Sequence, residues 1–373
     1  MRIVIVNRFM PPDEAPTSVL AGELAEHMRQ SGHDVECIAS SSDYRGKAKC
    51  GSLHRIAGEL ASHVVLLFKM LTARKADLLL CLSSPTCLAV TAALAACIRR
   101  QRFAHWAMDV YPEVAVRLSE IREGSLIHRV TQTLMYWAYD RADVLVALDE
   151  DMRALFEKSG HTAAVCRPWT PLALQWPDED SALAENRSSP SRPLRWVYSG
   201  NLGRAHEWEA LLDAQKLLEG EAPGEFELIF QGGGASRQPA QARAIELNLQ
   251  HCQWSDYAPK EALLESLFAA DVLVATQNPA TQGLLWPSKL AVIRHVPRPI
   301  LWVGPPDSAV TAELSSRPVT AAISVSPGTA RTIADWLLSL KRTPGPTAVP
   351  NYFPPSPASL QQPIASLEEV LTQ

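Results

Sequence analysis

The feature that most constrains this chain is an alternation, repeated twice, of short apolar runs with longer segments of helical spacing. Apolar runs of five or six residues bounded by turn residues read as buried strands. Strands that alternate with helices form a parallel sheet covered by those helices, because parallel neighbours need a long crossover between them. The first series places strands at 2–6, 34–39, 77–82, 103–108, 143–148 and 162–167. In the first intervening helix Leu20, Leu24 and Met28 recur at i, i+4 and i+8 and mark one face. Gly32-His33 then turns the chain into the second strand.

A polar stretch rich in proline and serine, PDEDSALAENRSSPSRP at 177–193, breaks the pattern and reads as a linker. The alternation then restarts, with strands at 194–199, 226–231, 249–254, 271–275 and 299–303. Helices are expected at 206–219, 237–248 and 259–269, and from about 287 and about 328. The chain of 373 residues is too long for one ordinary core and suits two domains. The expected organisation is a domain at 1–176, the linker, a second domain at 194–341, and a proline-rich tail at 342–373 that carries a short helix containing Ser366 to Leu371. The expected fold class is α/β. Parallel sheets present ligand-binding loops at the carboxyl ends of their strands. Two facing Rossmann-like domains would therefore enclose an interdomain cleft suited to two substrates.

Composition narrows the classes of partner. A net charge of −5 argues against nucleic acid. Cysteines stand at 37, 50, 81, 87, 97, 166 and 252, with no CxxC pair and no zinc-finger spacing, so reduced thiols of a cytoplasmic protein are expected. The opening MRIVIVNRFMPP has too short an apolar run for a secretory leader. Leu78 to Ile98 has no charged residue and is long enough to span a bilayer, but Ser83-Ser84-Pro85-Thr86 reads as a turn in its middle. The segment LASHVVLLFKMLTARK at 60–75 has a bulky apolar face, with Lys69, Arg74 and Lys75 towards one end. It reads either as a core helix with a solvated end or as a helix at an anionic lipid surface. A peripheral contact with the inner face of the membrane is left open.

Four segments carry candidate chemistry. Gly200-Asn201-Leu202-Gly203-Arg204-Ala205-His206 directly follows a strand; glycines let backbone N–H groups approach an anion, and Arg204 could pair a phosphate bidentately. An ordinary turn with a solvated arginine fits as well. Gly232-Gly233-Gly234 also follows a strand, and reads as a phosphate cradle or a tight turn; it is not a G-x-G-x-x-G fingerprint. Pro287-Ser288-Lys289 opens an expected helix, where a hydroxyl, an ammonium and free N–H groups would suit a pyrophosphate. In Trp106-Ala107-Met108-Asp109-Val110-Tyr111-Pro112-Glu113, Asp109 falls at a strand end. Its carboxylate could orient a sugar hydroxyl or accept a proton, or simply cap the next helix. No G-x-S-x-G, H-E-x-x-H or Walker A motif is present, and no metal site is expected.

Taken in order, these segments resemble retaining glycosyltransferases of family 4, which have the GT-B fold, and in particular bacterial members that build exopolysaccharide or cell-envelope glycans. The resemblance covers about residues 1–340. It rests on Phe9-Met10-Pro11-Pro12-Asp13, Gly32-His33, HWAMDVYPEVAVRL, RADVLVALDEDM, Pro168-Trp169 and YSGNLGRAHEWEALLDA. FQGGG, YAPKEALLESLFAADVLVAT, GLLWPSKL and RPILWVG complete it. It implies a nucleotide sugar bound by the C-terminal half and a glycan or lipid-linked acceptor bound by the N-terminal half, with no cofactor. It places Gly200, Gly203, Arg204, Ser288 and Lys289 around the donor diphosphate, with Asn201, Gly232, Gly233, Gly234 and Gln282 also on the donor. It makes Asp109, with Glu113, the candidate catalytic carboxylates. The sequence departs from the family where an E-x7-E pair is usual: Gln282 stands at the first glutamate, and Leu290 or Val292 at the second. Pro297 replaces a usual glycine, and Ala309 a frequent glutamate. Those departures raise a second reading, a non-catalytic GT-B homologue that binds a glycan or partner protein. A third is a sugar-nucleotide epimerase on the same fold.

Overall fold

The structure is a computed structural model that describes residues 1–13, 15–40, 52–177, 192–316, 320–324, 326, 328–342 and 354–373. Most of the expected linker, 178–191, and the stretch 343–353 of the expected tail lie outside the described residues, as does Cys50. The chain divides into two compact units. Unit 1 comprises Met1–Leu172, Gly283–Trp286 and Pro357–Gln373; unit 2 comprises Ala173–Gln282 and Pro287–Ser356.

Unit 1 is built on six parallel strands: β1 (Arg2–Val6), β2 (Asp34–Ile38), β3 (Leu78–Cys81), β4 (Arg102–Trp106), β5 (Val144–Ala147) and β6 (Ala164–Val165). Their order is β2-β1-β3-β4-β5-β6. The register runs Ile3 to Val35 on one side of β1 and Ile3 to Leu78 on the other. The strands are almost continuously apolar because both faces are covered. Helix Pro16–Gln30 has proline in its first turn, and it buries the anticipated Leu20, Leu24 and Met28. Ser125 and Asp149 cap helices Leu126–Tyr139 and Glu150–Lys158 by accepting the N–H groups of His128 and Met152. The uncharged stretch 78–98 divides into β3, a turn and helix Leu88–Arg99. Among the described residues no helix is long and apolar enough to cross a membrane.

Two short pieces join unit 1 from far along the sequence. Leu285 forms a bridge with Asp109, and Leu284 O accepts the Val110 N–H at 2.8 Å. Helix Pro357–Thr372 packs on Pro16–Gln30 and buries Leu360, Ile364, Leu367 and Leu371 along one stripe. The apolar stripe of this helix therefore belongs to a core rather than to a detached tail. Glu368 fixes the contact, its carboxylate lying 3.1 Å from His27 Nε2 and 3.2 Å from His33 Nε2.

Unit 2 repeats the plan with β7 (Leu194–Ser199), β8 (Phe226–Gln231), β9 (Cys252–Ser255), β10 (Val272–Thr276), β11 (Ile300–Gly304) and β12 (Thr320–Ser324), ordered β12-β11-β10-β7-β8-β9 and all parallel. Trp196, Tyr198, Phe226 and Phe230 fill its core beneath helices Glu209–Glu221 and Thr329–Arg342. Each buried aromatic removes about 150–250 Å² from water, worth several kcal/mol at about 25 cal/mol per Å². The sheet order reverses direction at β7, between β8 and β10, the kind of position where open α/β sheets bind ligands.

Candidate functional site

In unit 2 the structure brings the two glycine segments together at the carboxyl ends of β7 and β8. Gly200 N–H donates to Gln231 O at 2.8 Å and Leu202 N–H to Gly233 O at 2.7 Å, so the loops continue the pairing of their strands. Ser236 N–H then closes back on Leu202 O at 2.9 Å. Gly232 has φ 137° and Gly234 φ 126°. A Cβ on Gly232 would collide with Gly200 O, and one on Gly234 with Leu202 O. Only glycine permits both this backbone and this closeness. Tyr257 lies against Gly232 and Gly233, half exposed, with its hydroxyl 3.4 Å from Asn201 Oδ1.

Lys289 joins this group. Its Nζ lies 3.3 Å from the centre of the Tyr198 ring, and its Cε would be 3.4 Å from a Cβ on Gly200. The ammonium is shut from solvent and has no hydrogen-bond partner. Desolvation holds its pKa well below the usual lysine range. Next to it His206 donates Nδ1–H to Thr276 O at 2.7 Å, since a carbonyl can only accept. Burial, with Lys289 adding to it, pushes His206 down to about 3, so this imidazole is neutral at pH 7.

Two expectations about helix ends are corrected. The segment expected as a helix from 206 becomes helical only at Glu209, because Ala205 O accepts the Asn278 N–H at 2.8 Å and His206 is tied to Thr276. These tertiary bonds hold 200–208 as a loop, and the positive helix end stands away from Gly200. Pro287-Ser288-Lys289 precedes a helix of one turn, Leu290–Ile293, rather than forming its first residues. Ser288 and Arg204 are exposed. Gln282 is half-buried, and its Nε2 donates to Asp307 O at 3.3 Å.

The candidate carboxylates lie in unit 1. Asp109 follows β4, where Ser83 Oγ accepts the N–H groups of Met108 at 2.8 Å and Asp109 at 3.3 Å. Asp109 is half-buried, and desolvation pushes its carboxyl up to about 6. It caps no helix: Glu113–Arg117 begins after Pro112, with no side chain bonded to its first turn. Glu113 Oε1 accepts from Gln132 Nε2 at 3.1 Å, while Oε2 is buried without a partner. Tyr198 and Tyr257, both in contact with the glycine or lysine group, carried no distinguishing signal in the sequence. Tyr198 sits in an apolar strand and Tyr257 in a polar loop, and neither spacing marks a site.

No family model matches the chain. The chain is similar to a curated Pseudomonas aeruginosa protein named Probable glycosyltransferase WbjE, at 26% identity over 239 residues, covering 62% of this chain and 58% of the relative. The chain thus matches less than two thirds of that relative's length. Among solved structures it is similar to sucrose-phosphate synthase from Thermosynechococcus elongatus, with a TM-score of 0.68 and 13% identity over 100% of this chain and 97% of that one. It is also similar to Anabaena Alr3699/HepE in complex with UDP and glucose, with a TM-score of 0.66 and 15% identity over 100% of both chains. The fold is GT-B: an α/β architecture of two Rossmann-like units, each on a parallel sheet.

Proposed function

We propose that the chain is a retaining glycosyltransferase of family 4 that moves a sugar from a nucleotide-sugar donor to a glycan or lipid-linked acceptor in polysaccharide biosynthesis. The observation that carries this reading is the pair of interlocked glycine loops on β7 and β8, with the partnerless Lys289 ammonium beside them. A buried lysine without a partner is costly. An arriving diphosphate would supply the missing counter-charge and restore the protonated form. The similar HepE structure holds UDP and glucose, and the curated relative is named as a glycosyltransferase. In this reading Gly200, Asn201, Gly203, Gly232, Gly233 and Gly234 admit the diphosphate, and Lys289 and Arg204 carry its charge as the sugar departs. Ser288 and Gln282 contact the donor, and Asp109, with Glu113, supplies the catalytic carboxylates. The chemistry needs charge on the leaving diphosphate more than a protein nucleophile.

One observation favours a second reading, a non-catalytic homologue that binds a glycan or partner protein. Gln282 replaces a carboxylate expected on the donor, and its amide is engaged with Asp307 O. Calorimetric titration with UDP and other nucleoside diphosphates separates the readings when combined with a donor-turnover assay. Wild type is expected to bind a nucleoside diphosphate and to turn over its sugar. Lys289→Met and Arg204→Ala should each lower affinity by about 10- to 100-fold, the worth of one charge-assisted hydrogen bond. Unchanged affinity in both variants would remove the phosphate site. Binding without turnover would favour the homologue.

A further inference from the structure

Ten of the thirteen large apolar side chains that stand exposed among the described residues lie on three helices of unit 1. These are Ser52–Thr72, Leu88–Arg99 and Leu126–Tyr139; the first packs against the second, and the second against the third. Each presents an outward stripe at four-residue intervals. On the first, Leu60, Val64 and Phe68 are 63%, 69% and 67% exposed. Leu94 and Ile98 continue the pattern on the second helix, and Leu126, Val130 and Leu134 on the third. Four-residue spacing keeps side chains on one side of a helix, so the stripes run side by side. The inward faces are already satisfied: Leu66, Ala92 and Met135 are buried beneath them. The outward residues therefore form a second apolar face. Single exposed apolar residues are ordinary, but a contiguous face of them marks an interaction surface.

One end of this face is basic. The helices cross back over a parallel sheet and run in the same direction, so their C-termini lie together. Arg74 and Lys75 follow the first helix, Arg100 the second and Arg141 the third, and Arg102 opens β4. Arg100, Arg102 and Arg141 line a pocket of about 390 Å³ with Phe103 and Asp143. At the same end Asp143 accepts the Phe103 N–H at 2.8 Å, Asp77 accepts the Arg2 N–H at 2.7 Å, and Asp140, directly after the third helix, lies 3.1 Å from His161 Nε2. Among the described residues no ion pair engages Arg100, Arg102, Arg141 or Lys75. The described side chains of the three helices include one carboxylate, Glu59, and Arg8 pairs with it. Glu120 and Glu123 precede the third helix, at its other end.

We propose that this face docks on an anionic lipid bilayer. The three stripes enter the boundary between headgroups and acyl chains, and Arg100, Arg102 and Arg141 hold lipid phosphate. An apolar face with one carboxylate on its helices, and a cationic end whose carboxylates have partners of their own, complements a negative bilayer surface in both its terms, apolar burial and charge. No described helix can cross the membrane, so the helices lie in its plane. The proposal stands on unit 1 alone and is independent of the donor site in unit 2.

The test is cosedimentation of the full chain with vesicles of equal parts phosphatidylglycerol and phosphatidylcholine, and with vesicles of phosphatidylcholine alone. Wild type should bind the anionic vesicles, bind the neutral ones at least about tenfold more weakly, and be released by added salt. Val64→Asp/Phe68→Asp should lose binding. Arg100→Asn/Arg102→Gln should weaken it by about 25-fold, since each cation near the surface contributes about fivefold, the equivalent of about 1 kcal/mol. Asparagine is chosen because Arg100 has φ 50°, which asparagine tolerates. Should the aspartate pair misfold, as circular dichroism would show, the Arg100 and Arg102 pair decides the matter. Nucleoside-diphosphate affinity should stay unchanged in both variants, which separates this proposal from the donor-site reading. Absent vesicle binding by wild type, or equal binding by both variants, overturns it. So does a wild-type dimer that binds no vesicles and that Val64→Asp/Phe68→Asp dissociates, because the face would then join two copies of the chain.

Discussion

Lys289 shows how far a single side chain can depart from its sequence context. Next to a serine at an expected helix start it reads as a solvated cation. In the structure its ammonium is desolvated over Tyr198, and its pKa falls. A diphosphate that restores its charge must bring a proton with it. At pH 9, where an ordinary lysine is already protonated and a nucleoside diphosphate is fully ionised, binding should therefore take up protons. Titrations in buffers of different ionisation enthalpy should register that uptake in wild type and lose it in Lys289→Met; equal values in the two proteins would refute the placement. Asp109 offers a second residue-scale prediction. Asp109→Asn should lower turnover by about 10²–10⁴-fold if the carboxylate acts in proton transfer. Its folded pKa, about 6, lies above the ordinary 3.8, so the folded state holds the proton more tightly than the unfolded state. Its contribution to stability is thus fully present below pH 4 and is lost as pH rises through 6. Asparagine does not titrate, so the variant should gain on wild type in denaturant melts over that window, by about 1–3 kcal/mol, and then level off. A stability difference that does not change with pH would contradict the burial of Asp109. The glycine positions were legible beforehand, since a strand followed by glycine is a local pattern. Tyr257 was not, because its contact with Gly232 and Gly233 is made across the fold.

Among elements, the strands were the most readable, because five apolar residues between turn signals carry their own evidence. The helix expected from 206 shows what local pattern omits: its sequence is compatible with helix, and bonds from Asn278 and Thr276 hold its first residues outside one. The final helix, Pro357–Thr372, was visible only as a short helix in a tail. Its stripe of Leu360, Ile364, Leu367 and Leu371 is fully used against Pro16–Gln30. Leu367, with no exposed surface, should cost about 2–5 kcal/mol when changed to alanine, through lost transfer energy and the cavity left behind. Urea denaturation is the measurement. A change below 0.5 kcal/mol, the ordinary range for surface substitutions, would mean that the helix is not part of the core.

At the scale of the whole molecule, two parallel six-stranded sheets with a common plan place glycine loops on one unit and desolvated carboxylates on the other. On the proposed function the leaving diphosphate is neutralised by Lys289 and Arg204 without a divalent ion. Transfer activity should therefore persist undiminished in excess EDTA. Loss of activity in chelator, restored by added magnesium or manganese, would show that a divalent ion carries that charge.

The alternation of strands and helices, its restart after a polar break, and the glycines at strand ends all follow from local spacing along the chain. Those signals depend on residues a few positions apart, and the hydrophobic effect acts on them wherever the chain goes. Packing of the folded chain sets which polar groups lose their water, where Gly283–Trp286 and Pro357–Gln373 attach, and that three helices turn apolar stripes outward. Desolvation, tertiary hydrogen bonds and surface patches all arise from segments brought together from distant parts of the chain, and no local spacing encodes them.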